Sequence, residues 1–185
     1  MTEAARADGR RNHQTLLDTA REAFAEHGTD VSLREVARRA GVGIGTLYRH
    51  FPTREALLEA LMGQNFDRLT AYAEELLIHP SPGVALRTWL IAMAEGSTSY
   101  RGLPGSVLAA LHDDRSQLHA SCAAMRAGAS GLLDRARQAG EIRSDVTTDE
   151  LLALTSGAAW AAQQSPDHQV TRMVTLTLNG LSPRD

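Results

Sequence analysis

The chain has 185 residues, with 19 basic and 22 acidic residues and a formal net charge of −3; every cation other than histidine is an arginine. With 43% hydrophobic and 22% charged residues it has the composition of a soluble globular protein, which excludes disorder of the whole chain. The single cysteine, Cys122, excludes an internal disulfide and a cysteine-built zinc site. The longest uncharged run, Leu151 to Pro166, carries Ser, Thr and Gln and is too short to span a bilayer. Met1 to Gly9 holds acids and no apolar core, so no signal peptide is expected, and a cytoplasmic protein is the default expectation.

Ala and Leu recur at spacings of three and four throughout, and β-branched alternation is nearly absent, so the periodicity predicts helices only. The first is expected over 11–27, with Leu16, Leu17, Ala20, Ala23 and Phe24 on one face and Gly28 as its stop. Ser32 to Glu35 reads as a capping box that opens a short second helix, broken by Gly41-Val42-Gly43. A third short helix is expected over 44–50, ended by Phe51-Pro52. Thr53 caps a fourth that runs to Leu77, about 37 Å at 1.5 Å per residue. A Pro- and Gly-rich linker, 79–83, leads to a fifth over 82–100. After a break at 102–105 follow a short sixth over 107–112 and a long seventh over 116–139. A second capping box, Thr147 to Glu150, opens the eighth, which runs to Gln164; Pro166-Asp167 opens the ninth, which ends at Asn179-Gly180.

Residues 32–51 carry the most information. Two short helices meet at a glycine turn. Ala37 is small where the helices cross, Gly41 suits a left-handed turn, and Val42 and Leu47 anchor the second helix. Its other face is then free to offer Thr46, Tyr48, Arg49 and His50. With Arg34, Arg38 and Arg39 before it, the segment holds four arginines against one glutamate. This is a helix-turn-helix with a basic rim, able to place its second helix in a DNA major groove.

The stretch from Val31 to Leu61, with its Thr46-Leu47-Tyr48 and His50-Phe51 core, resembles the DNA-binding signature of the TetR family of transcriptional regulators. The C-terminal part resembles the SbtR-like subgroup more loosely, through 102–105 and 139–143. The resemblance implies an all-α fold of about nine helices. Residues 1–52 would form the DNA-binding head and 53–185 a helical domain for ligand binding and dimerisation. It implies a homodimeric repressor of a palindromic operator, released by a small molecule, without enzymatic activity or cofactor. Tyr48 and His50 would contact phosphates from the recognition helix. Ser32 and Arg34 would touch the backbone or a base, and Thr53 and Arg54 would hold a phosphate at the start of the fourth helix. Gly43 and Gly45 bracket Ile44, so base reading would fall on Thr46 and Arg49, with Ile44 against a thymine methyl.

Other motifs carry less. Gly41-x-Gly43-x-Gly45 lacks the strand and spacing of a phosphate loop. His112, Asp113 and His119 straddle a break and lack a fourth metal ligand. Cys122 lies on the apolar stripe of the seventh helix as a small residue rather than a redox sensor. Phe66, Leu69, Tyr72, Trp89, Met93, Tyr100, Leu103, Leu108, Leu111, Cys122 and Met125 are candidates either for core or for a pocket between helices four and seven; the resemblance favours a pocket for a largely hydrophobic ligand. The eighth and ninth helices lack charge over 151–166 and 173–183, and the eighth is apolar on two faces. The expected reading is a homodimer seam carrying Leu152, Ala159, Trp160, Val170, Val174 and Leu178. The alternative function is a helical small-molecule-binding protein or enzyme that keeps a relic helix-turn-helix.

Overall fold

The computed structural model describes residues 3–28, 31–97, 105–164 and 169–183. Among these, nine α-helices form and no strand: α1 (Glu3–His27), α2 (Leu33–Arg39), α3 (Ile44–His50), α4 (Arg54–Leu76), α5 (Pro82–Ser97), α6 (Gly105–Leu111), α7 (Gln117–Gln138), α8 (Thr148–Gln164) and α9 (Val170–Gly180). None of them is long and apolar enough to cross a membrane. The third helix has the expected bounds. The first begins eight residues before its expected start at Arg11, because Glu3 to Arg10 are mostly good helix formers and need no buried face to continue the helix. Most of the break at 102–105 and the start expected for α9 at Pro166-Asp167 lie outside the described residues.

The two expected capping boxes differ. At α8 the box closes: the Glu150 amide donates to Thr147 Oγ1 (3.2 Å) and the Thr147 amide to Glu150 Oε2 (2.8 Å). At α2 the Ser32 hydroxyl accepts from the Arg34 amide (3.2 Å), but Glu35 turns its carboxylate to arginines instead.

The chain divides into two compact units. One takes in the described residues of Met1–Gly63 and Ser99–His119, and the other those of Gln64–Thr98 and Ala120–Asp185. The division falls inside α4 at Gly63, so it does not follow the expected functional boundary at 52/53. In the first unit α2 packs against both α1 and α3, and Leu16, Phe24, Val36 and Leu47 are fully buried. In the second, α5, α8 and α9 pack together over a core that includes Leu86, Trp89, Leu132, Leu133 and Leu151. There α4 and α7 touch so closely at Gly128 that a methyl group would lie 2.8 Å from the Ala73 methyl. Arg135 closes the end of α4 by donating to the carbonyls of Leu76 (3.3 Å) and His79 (2.8 Å).

Candidate nucleic-acid interface

The turn between α2 and α3 is built by Gly41, whose φ of +67° is open to glycine and strained for other residues. The Val42 amide donates to the Ala37 carbonyl (3.0 Å) and the Gly41 amide to that of Arg38 (3.2 Å), the Schellman closure of α2. This fixes where α3 starts. Leu47 is then wholly buried, while its neighbours Tyr48 and Arg49 are exposed and Ile44, Thr46 and His50 are half-buried. Gly43 and Gly45 are exposed, and a Cβ at either would meet nothing in the protein. The start of α3 therefore offers one apolar side chain, Ile44, between stretches of bare backbone, and its hydrogen-bonding side chains come from Thr46 onward.

The basic rim is not uniform. Arg38 makes a bidentate pair with Glu35 (2.8 and 2.7 Å). Arg39 bridges Glu35 (2.8 Å) and Glu26 on α1 (2.6 Å). The two guanidiniums hold the Glu35 carboxyl down to about 2. Arg34 and Arg49 are exposed and make no ion pair among the described residues. The charge offered to a polyanion is thus carried by Arg34 and Arg49, while Arg38 and Arg39 tie α2 to itself and to α1. The Glu26–Arg39 tie spans 13 residues and has no periodic signature in the sequence.

Thr53 Oγ1 accepts from the Ala56 amide (3.0 Å) and caps α4, leaving its hydroxyl hydrogen for another acceptor. Arg54 is the first residue of α4 and is half-buried; Ser32 is exposed.

His13 on α1 is a part of this site that the spacing did not reveal. Its ring stacks, tilted, on Phe51 at 4.7 Å and meets His50 edge-on at 5.6 Å. Burial, then the His50 imidazole, pushes the His13 pKa down. The unfolded chain therefore takes up the proton first. This contribution to stability is full above the ordinary histidine value of about 6.5 and is lost as pH falls through the lower folded value. Thermal melts of the full chain between about pH 7.5 and 5.5 should fall more steeply for the wild type than for His13→Gln. Parallel profiles would contradict it.

Of the expected pocket residues, Leu69, Trp89 and Met125 are buried in the core of the second unit, where the Trp89 indole donates to the Leu69 carbonyl (2.8 Å). Phe66, Tyr72, Met93 and Cys122 pack half-buried against that core. Burial pushes the Cys122 thiol up, with Arg126 acting against it. Leu108 (exposed) and Leu111 (half-buried) belong to the other unit, and Tyr100 and Leu103 lie outside the described residues. His119 donates from Nδ1 to the Leu111 carbonyl (2.8 Å). Among the described residues no three His, Cys, Asp or Glu gather as a metal site.

The expected outward face of α8 and α9 needs correction. Leu152, Ala159, Val174 and Leu178 are buried in the protomer's own core, because α5 packs against both helices. Val170 is half-buried. Trp160 stands out at 64% exposure, with Leu154 and Leu176 also exposed.

Residues 16–61 match the model of bacterial regulatory proteins of the tetR family, and residues 81–183 match that of the transcriptional regulator SbtR-like C-terminal domain. The TetR transcriptional regulator SCO0520 of Streptomyces coelicolor is similar over 94% of this chain and 99% of that one, at 35% identity and a TM-score of 0.72. LfrR of Mycobacterium smegmatis, a TetR-like regulator solved in complex with proflavine, is similar over 95% and 96%, at 25% identity and a TM-score of 0.67. The transcriptional repressor KstR of Mycolicibacterium smegmatis is 38% identical over 63 residues, 34% of this chain and 31% of its own length. The chain spans about two-fifths or less of the length of the curated relatives it matches.

Proposed function

The chain belongs to the TetR family of transcriptional regulators, with an SbtR-like C-terminal domain, and on that premise we propose a homodimeric repressor of a palindromic operator, released by a small, largely hydrophobic ligand. The observation that carries DNA binding is α3 itself. Its buried Leu47 holds it in place, and its exposed face presents Tyr48 and Arg49 with no acid beside them. Repression is supported by the likeness of the head to KstR.

Residues 1–52 serve as the head and 53–185 as the regulatory domain. Tyr48, His50, Arg34, Thr53 and Arg54 hold phosphates and Ser32 touches the backbone or a base; Thr46 and Arg49 read bases, with Ile44 against a thymine methyl and Gly45 letting the backbone come close. Each phosphate contact releases counterions, so its loss lowers the salt slope of binding by about one for every DNA sequence alike. Titrations of Arg34→Ala and Arg54→Ala across salt should show this. Unchanged slopes in both would remove the phosphate roles.

A ligand is supported by the proflavine complex of LfrR. Within this chain the half-buried Phe66, Tyr72, Met93 and Cys122 are the lining that remains after the core has taken Leu69, Trp89 and Met125. Release runs along α4, which is continuous from Arg54 to Leu76 and has Gly63, where an added Cβ meets nothing, as its weakest point. A ligand that weakens operator binding must itself bind more weakly to the operator complex by the same factor, with a coupling of about 1–3 kcal/mol. A tight ligand whose affinity is the same with and without saturating operator would contradict release.

Dimerisation is supported by the absence of charge from Leu151 to the end of α8 and by the exposed apolar residues left on α8 and α9. Light scattering should give twice the chain mass; a monomer at all concentrations would contradict it.

A further inference from the structure

Glu35 is the only acid among residues 32–51 and stands amid their four arginines. Both of its carboxylate oxygens accept from cations: Oε2 and Oε1 from Arg38 (2.8 and 2.7 Å), and Oε1 also from Arg39 (2.8 Å). The two arginines differ in what else they do. Arg39 is held a second time by Glu26 on α1 (2.6 Å), and only 29% of its side chain is exposed. Arg38 is tied to Glu35 alone among the described residues, and 73% of its side chain is exposed. We propose that Glu35 limits sequence-independent binding of DNA by holding the Arg38 guanidinium away from the phosphate backbone. This rests on the DNA-binding reading above and adds to it a residue that weakens the grip.

Arg38 follows Arg34 by four residues, one turn along the same exposed strip of α2. A head that offers Arg34 to a phosphate therefore brings Arg38 to the same flank of the duplex, where a free guanidinium would add a contact. Arg38 is not free: its planar fork is matched to a carboxylate through two parallel hydrogen bonds, a strong arrangement for an arginine. Exchanging one acceptor for the other gains little. If Arg38 turned to a phosphate, the Glu35 charge would be left facing the same polyanion. Glu35 stays ionised throughout the neutral range, because the hydrogen bonds from Arg38 and Arg39 hold its carboxyl down to about 2. α2 is anchored without this acid, by the Ser32 cap and the buried Leu33, Val36 and Ala37. Thr46 and Arg49, the base readers of that same reading, take no part in the network. The restraint therefore falls on the salt-dependent attraction common to all sequences and leaves base reading alone.

Anisotropy titrations of the full chain on a mixed-sequence duplex, repeated between about 50 and 200 mM salt, test this. Glu35→Gln should bind at least about fivefold more tightly at the lower salt and steepen the salt slope by about one for each head engaged. The double variant Glu35→Gln, Arg38→Gln lacks both members of the pair and should return to the wild-type slope, which a merely loosened α2 would not do. Glu26→Gln also removes one acid from the head but leaves Arg38 bound to Glu35, so its slope should match the wild type. An unchanged or shallower slope in Glu35→Gln overturns the proposal. So does a double variant as steep as the single one, since the added contact would then not be made by Arg38. A Glu26→Gln slope that rises as far as that of Glu35→Gln overturns it too, because the loss of any acid would suffice. A wild type that binds neither this duplex nor any genomic fragment overturns the DNA-binding reading itself, and the proposal with it.

Discussion

Replacing Leu47 by alanine is expected to destabilise the head by about 2–5 kcal/mol and to abolish DNA binding, although Leu47 itself touches no DNA. The side chain has no exposed surface, and it is the only buried residue of the seven in α3. A helix this short has little stability of its own and depends on packing. Removing its anchor leaves a cavity in a small core and frees the helix that presents Tyr48 and Arg49. Tyr48→Ala, one residue along and half-exposed, should leave the melt nearly unchanged while weakening DNA binding. Thermal denaturation and hydrogen exchange of the α3 amides separate the two. Equal stability of both variants would mean that α3 is not held by Leu47.

Arg49→Ala is expected to cost about 1–3 kcal/mol at one operator position and little at the others. Arg49 is the one side chain of α3 able to pair with both acceptors of a guanine edge, and it is exposed and without an ion pair among the described residues. Arg38→Ala is the control, since Arg38 is bound to Glu35 through two hydrogen bonds and its loss should weaken DNA binding less. Anisotropy titrations against a panel of single-base operator variants read the difference. If Arg49→Ala weakened every sequence equally, it would be a backbone contact and base reading would rest on Thr46.

The head was legible because its local chemistry is discrete. Ser32, Gly41 and Thr53 each do one job in a cap or a turn, and the structure shows each doing it. Apolar periodicity marks a face as covered but does not say what covers it. That is why Leu152, Ala159, Val174 and Leu178 read as an interface and are found under α5. The same ambiguity joins core to pocket at Leu69, Trp89 and Met125, which are buried in the core of the second unit. Contacts between residues distant in sequence left no local signal at all: Arg39 with Glu26, and His13 with His50 and Phe51. Both change the chemistry of the head, the first by withdrawing a cation from the rim and the second by adding a pH dependence.

The central claim is sequence-specific DNA binding through α3 by a pair of heads. It is tested most directly by selecting bound fragments from fragmented genomic DNA of the source organism with the full chain, alongside a Thr46→Ala, Arg49→Ala double variant. The wild type should enrich one short motif made of two inverted half-sites whose centres lie about 34–36 Å apart, one turn of DNA, and the double variant should lose that motif while keeping weak, salt-sensitive binding. Fragments recovered without a shared motif, or the same motif recovered by the double variant, would contradict the claim.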